Sequence, residues 1–400
     1  MKNALLLPIL LTSPEKLEKA TMTAPSYPFI HPLLGTDDNL AGYLIELPEH
    51  CKDFTVLQQL AKHPTFDQMD TRQPWLIPAI ALDNTLPDRL IPVFTDTGLE
   101  QLASLEAELR QNKRRLALQS TLVGKLPATG TWHYLMISAA QAHTLPPFTL
   151  QSMSIRTHII VTGVHNHSDH EWAMANACAL STGEFLLSRA NPGKKADITR
   201  QKMIHLLALI AEDADTQALD NIFRQEAKLS YSLLRLVNSA AIAPRSPIES
   251  FAQAINLLGR RQLGRWLQLL VYADTDGKKS INPLLIKAAT RGRMMELLAS
   301  KESTNSDCAF MVGCFSLLDV LLNLPMQEIL AQLPLPQDCH DALARHQGPL
   351  GQLLTALAAA DGRNLSTAQN LLAELNITVD DFIDAQLESI NWANKIRNAV

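Results

Sequence analysis

The sequence predicts two domains of different class, an α/β barrel-like N-terminal half and an all-helical C-terminal half. At 400 residues the chain has room for about two domains at the usual ~100–200 residues each. Short apolar runs separated by polar and helical pieces fill the sequence up to about residue 190. Beyond that point the apolar residues recur at spacings of three and four almost without relief.

The apolar runs of the first half are YPFIHPLL, AGYLIELP, PWLIPAIAL, RLIPVF, RRLALQS, WHYLMISAA and HIIVTGV. Runs this short, bounded by turn residues, suit buried parallel strands. GLEQLASLEAELRQNKR at 98–114 reads as a helix between two of them. Repeated strand–helix units imply an α/β architecture of barrel type. Pro28, Pro32, Pro78 and Pro92 blur the strand boundaries, since proline removes a ladder donor.

SRANPGKKAD at 188–197 combines proline, glycine and charge and reads as a linker. Helices are expected over 197–212, 218–240, 282–300, 308–324 and 366–376. Ser246, Pro247 and Glu249 form a capping box with proline at the first helical position. That helix meets Gly259, the expected left-handed C-terminal residue, and a second helix begins at Arg260. The resulting division is an extension at 1–25, the α/β domain at 26–190, a linker at 191–199, the helical domain at 200–385 and a tail at 386–400.

Composition narrows the function classes. Hydrophobic residues make up 46% and charged residues 19%, the profile of a folded chain with large cores. A net charge of -5 argues against general attraction to nucleic acid or anionic membrane. The five cysteines contain no Cys-x-x-Cys pair and suit free thiols in a reducing cytosol. Lys2 and the apolar run after it imitate a signal peptide, but Pro8 interrupts the run and no small-residue cleavage site follows. A cytoplasmic protein is expected.

LSYSLLRLVNSAAIAPRSPIESFAQAINLLGRRQLGRWLQLLVYA at 229–273 closely resembles the signature of HDOD domains, helical relatives of the HD phosphohydrolases. Asn238, Ser239, Gly259 and Trp266 carry that signature, and the resemblance runs on through ALARHQGPLGQLLTALAAAD at 342–361. HDOD domains of this kind often follow an EAL domain, the barrel that hydrolyses cyclic di-GMP. The first half is similar to a degenerate, incomplete or shortened TIM-like EAL barrel. In YPFIHPLLGTDDNLAGYLIELP the motif glutamate becomes Leu44. The paired aspartates fall at Gln119 and Ser120, and the strand lysine at Met136. Thr162 and His165 replace two glutamates in VTGVHN, and Thr182 replaces glutamine in the closing STGEFLLSRANP.

The resemblance implies a lost activity. Phosphodiester hydrolysis in such a barrel needs carboxylate and amide oxygens to hold Mg²⁺ or Mn²⁺ and ionise a water. Leu44, Gln119, Ser120 and Thr162 supply no carboxylate. In the helical half, Ser316 and Leu317 stand where the HD pair would be, and His340-Asp341 lies outside the expected position. No metal or other cofactor is expected.

HNHSDHEW at 165–172 invites a zinc reading through His165, His167, Asp169 and His170. The preferred reading is a polar loop at the barrel top, with Ser168 or Asp169 capping the next helix. On a helical wheel Leu263, Trp266, Leu267 and Leu270 share the inward arc, with Arg260, Arg261, Arg265 and Gln268 opposite. The arginines read as a solvated structural face that a partner could use. Together these readings imply a catalytically inactive scaffold of bacterial signalling that acts by protein–protein recognition, without nucleic-acid or membrane partners. The alternatives are a non-hydrolysing cyclic di-GMP receptor and a residual phosphodiesterase.

Overall fold

The computed structural model describes residues 25–48, 55–79, 86–100, 102–121, 126–128, 130–189, 208, 237–238, 251–270, 272, 282–301 and 306–397. The helices expected over 197–212 and 218–240, the Ser246 capping box, Ser239 and nearly all of the linker lie outside these residues.

Every apolar run of the first half forms a strand: β1 Phe29–Leu34, β2 Leu40–Glu46, β3 Trp75–Pro78, β4 Leu90–Thr95, β5 Ala117–Gln119, β6 Tyr134–Ser138 and β7 His158–Thr162. The STGEF element supplies β8, Leu180–Thr182. The strands close in sequence order into an eight-stranded barrel. It is mixed rather than wholly parallel, because β1 runs antiparallel to both β2 and β8. The barrel is therefore complete in its strands. The connections carry the helices: β2–β3 has α1 (Thr55–Lys62) and α2 (Pro64–Asp67), and β4–β5 has α3 (Ala103–Gln111). The β6–β7 link carries α4 (Ala139–Thr144) and α5 (Pro147–Ser154), and β7–β8 carries α6 (His167–Ala175). Among the described residues the β3–β4 and β5–β6 links hold no helix.

Strand alternation sorts the side chains. Leu33, Leu44, Leu76, Ile91, Met136 and Ile160 fill the barrel interior as one apolar cluster. Their neighbours Tyr43, Ile45, Trp75 and Ile77 point outward, against α1 and α2. Leu44 and Met136 thus belong to a packed lining, 4% and 2% exposed.

The second half is helical. α7 (Phe251–Leu270) is two helices joined at Gly259, whose φ of 75° lies in the region that glycine enters without steric cost. Next come α8 (Pro283–Lys301), α9 (Ser306–Phe315), α10 (Leu318–Leu322), α11 (Met326–Leu330) and α12 (Gln337–Arg345). α13 (Gly348–Asp361), α14 (Leu365–Glu374) and α15 (Val379–Arg397) complete the described set. α8 and α9 cross glycine to glycine: a Cβ on Gly313 would stand 2.6 Å from Gly292 Cα. Leu263, Trp266, Leu267 and Leu270 are buried as the wheel requires, with Trp266 against Trp392. Gln268, placed on the outer arc, is buried as well.

The last helix returns to the barrel. α15 crosses residue 385 without a break, so the stretch assigned to a tail is helical up to Arg397. Ile383, Leu387 and Ile390 join the cluster outside β2 and β3. Gln386 donates to Pro28 O and accepts from Ile30 N, and Asn394 donates to Tyr43 Oη. An amide that satisfies both a donor and an acceptor of the first strand fixes register as well as contact.

Candidate functional site

The C-terminal ends of the parallel strands are where a barrel of this kind places its chemistry. β2 ends at Glu46, and Asp96 follows β4. Asp96 is bound locally, accepting from Thr121 N and Thr121 Oγ1 at 2.7 Å each and from Ser120 Oγ at 3.3 Å. Thr162 Oγ1 donates to Ile137 O, Gln119 is half-buried at the end of β5, and His165 is exposed. Thr182 Oγ1 is buried without a hydrogen-bond partner among the described residues. Of the positions compared with the EAL cage, Leu44 and Met136 line the apolar interior, while Gln119, Ser120, Thr162, His165 and Thr182 lie at or just after strand ends. Among the described residues, no group of three or more His, Cys, Asp or Glu side chains is arranged to hold a metal.

The charged pairing at this end comes from the helical half. Arg363 follows α13 with φ 61°, a left-handed backbone more often given to glycine, at a cost on the order of 1–2 kcal/mol. Its Nε donates to Glu46 Oε2 at 2.8 Å, Nη2 to the other Glu46 oxygen, and Nη1 to Glu184 Oε1 at 2.8 Å. Burial alone would lower the Arg363 pKa, but the two carboxylates outweigh it and raise it. One guanidinium thus binds the end of β2 and the segment after β8 in a forked geometry.

Asp361 lies two residues earlier and faces its own domain. Lys287 and Arg291, one turn apart on α8, both bind it, with Arg291 Nε at 3.0 Å. Arg291 Nη1 also donates to Ser316 Oγ at 2.8 Å, at the position expected for the HD histidine. Burial pushes the Asp361 carboxyl up, but the two cations prevail and hold it at about 2. The carboxylate's charge is already matched by side chains, so a divalent ion would have to displace two cations to reach it. His31 on β1 stands between these ion pairs, its Nε2 3.4 Å from Glu46 Oε2. Burial, with the nearby charges of Lys287 and Arg363, lowers its pKa to about 3, so the ring is neutral.

Other candidates resolve differently. In HNHSDHEW the cap of α6 is Asn166, which accepts from Asp169 N, and not Ser168 or Asp169. His170 Nδ1 lies 2.7 Å from Ser181 Oγ, and its Nε2 3.0 Å from Asp38 Oδ1. Those three residue types can make a nucleophile relay, but Ser181 is 0% exposed and no substrate atom can reach it. The arrangement ties the β1–β2 turn to α6 and β8. Arg265 departs from the expected open face: its side chain is 15% exposed, 2.6 Å from Glu296, and also paired with Asp307. It is an internal tie between α7, α8 and α9. The backbones of Arg260 and Arg261 begin the helix after Gly259, while their side chains lie outside the described residues. Asn238 sits in an exposed turn with a partner of its own. His340 and Asp341 lie on α12, and Cys178, Cys308, Cys314 and Cys339 are buried and outside any disulfide.

Comparison with known proteins identifies the helical half. Residues 199–333 match the HDOD domain family. Residues 199–333 are an HDOD domain. A closed eight-stranded barrel precedes it. The chain is 29% identical over 194 residues to YuxH of Bacillus subtilis, an uncharacterised protein, covering 48% of this chain and 47% of that one. It is 27% identical over 217 residues to the cyclic di-GMP phosphodiesterase CdgJ of Vibrio cholerae, covering 52% and 50%. It thus spans about half the length of the curated relatives it matches. A solved structure of the Bacillus subtilis YkuI protein, which has an EAL domain and holds cyclic di-GMP and calcium, aligns with a TM-score of 0.32 at 12% identity, over 60% of this chain and 74% of that one. Among the described residues, no helix is long and apolar enough to cross a membrane.

Sequence reasoning missed the charged residues of the helical half at the barrel: Arg363 with Glu46 and Glu184 opposite, and Asp361, Lys287 and Arg291 near His31. The available signal was a lone charge inside an apolar run, as in LIELP. Nothing local ties Glu46 to an arginine 317 positions away.

Proposed function

We propose that this chain is a catalytically silent regulatory scaffold of bacterial signal transduction that acts by protein–protein interaction through its HDOD domain. The observation that carries the reading is the state of the barrel: Leu44 and Met136 are packed into an apolar interior, and Glu46 and Glu184 are engaged by Arg363. Metal-assisted hydrolysis needs several oxygen ligands free to converge on an ion, and these carboxylates are already committed to a cation. Partner recognition then falls to exposed surface, for which the turn at Gly259 and the arginines after it are the candidate face.

The test has two arms. Incubation with Mn²⁺ and cyclic di-GMP should give no turnover; turnover abolished by Glu46→Gln would overthrow the silent-barrel reading. Affinity capture from native lysate with the wild type and with Arg260→Ala/Arg261→Ala should recover a partner that the double variant loses. Equal recovery by both excludes that face. A second reading, a cyclic di-GMP receptor without hydrolysis, is favoured by the similarity to CdgJ. Calorimetry with cyclic di-GMP separates the two, since the scaffold reading expects no heat at high micromolar ligand.

A further inference from the structure

The barrel and the helical half border a cavity of about 110 Å³ between β1, β2, α8, α13 and α15. One water occupies roughly 10–15 Å³ on this measure, so the space suits a solute of about seven to eleven heavy atoms. Its walls are chiefly apolar: Phe29, Leu34, Leu40, Ile286, Phe382 and Ile390. Three cations also line it, Lys287, Arg291 and Arg397, against the carboxylates of Asp361 and Asp38. Asp38 is half-exposed and paired with His170, which leaves Asp361 as the buried counter-charge. The deeper wall is therefore net positive.

Two buried polar atoms on the lining residues lack a hydrogen-bond partner among the described residues, His31 Nε2 and Asn394 Oδ1. The His31 ring is 6% exposed and turns its Nε2 toward Glu46, 3.4 Å away. The Lys287 ammonium carries three N–H donors, of which the bond to Asp361 uses one.

We infer that this interdomain cavity is a binding site for a small organic acid, with an apolar body of about five carbons and one carboxylate. The body packs on Phe29, Ile286 and Phe382 while the carboxylate takes its donors from Lys287. Because the walls come from both domains, the ligand stabilises their closed arrangement and acts as an input to the HDOD domain. The site stands apart from the proposed scaffold role, which concerns a different surface.

Titration calorimetry of the full chain with hexanoate, acetate and hexan-1-ol tests it. Hexanoate should bind with a dissociation constant on the order of 1 mM, as a solute of about eight heavy atoms can. Acetate and hexan-1-ol, each lacking one half of the chemistry, should bind about tenfold more weakly or not at all. Ile286→Trp, which fills the cavity without touching the Lys287–Arg291–Asp361 ion pairs, should abolish the heat while the circular dichroism spectrum is retained. No heat from hexanoate, or equal binding by the tryptophan variant, overturns the site. Equal affinity for hexan-1-ol and hexanoate overturns its assignment to an acid.

Discussion

Acidification should destabilise the protein through His31 before it affects the surface carboxylates. The buried ring is held neutral with a pKa of about 3, against 6.5 in the unfolded chain. Between those values the unfolded state binds a proton that the folded state refuses, so stability falls as pH falls through 6.5. At pH 5 the unfolded histidine is almost fully charged, and the folded one is neutral for any pKa well below 5. The contribution lost between pH 7 and pH 5 is therefore about 2 kcal/mol. His31→Leu removes the titration while keeping an apolar side chain on β1. Urea unfolding of both proteins at the two pH values supplies the comparison, and other titrating groups cancel between them. The wild type should lose about 2 kcal/mol more than the variant. Equal losses would refute the placement of a neutral histidine between Glu46 and the cations of α8.

Three further outcomes follow from the packing. Arg363→Ala leaves the half-buried Glu46 and the buried Glu184 without their cation and should cost about 2–4 kcal/mol, read as a lower urea midpoint; a neutral result would mean that the domains do not depend on this contact. Leu44→Glu puts a carboxylate into the apolar barrel interior, so it should destabilise by several kcal/mol and confer no Mn²⁺ affinity by calorimetry. Gly313→Ala forces a methyl onto Gly292 Cα, and the overpacked crossing should lower stability by about 1–3 kcal/mol in thermal unfolding.

The barrel strands were legible because burial on both faces writes itself into the sequence as short apolar runs, from PFIHPLL to HIIVTGV. The hinge at Gly259 and the inward Trp266 were legible for a similar reason, since helix periodicity and a left-handed stop are local signals. Arg265 was not. A helical wheel separates apolar from charged positions, but it has no means of showing that Glu296 and Asp307 cover the charged side. The antiparallel course of β1 was also hidden, because strand direction depends on what each strand pairs with and a run of apolar residues is the same in either sense. Arg363 was least visible of all: it looks like a solvent-exposed turn residue until the fold brings Glu46 to it.

The attachment of α15 to β1 has a consequence for synthesis. Ile30 and the side chain that caps its amide are separated by 356 positions. At roughly 5–20 residues per second, that amide and the apolar face beside it wait about 20 to 70 s for Gln386 to emerge from the ribosome. During that interval the barrel has a wall of Tyr27, Phe29 and Ile30 with nothing from the last helix to shield it. The nascent chain is therefore an aggregation hazard of its own, distinct from the finished protein, and a substitution in α15 would show first as poor yield of soluble material.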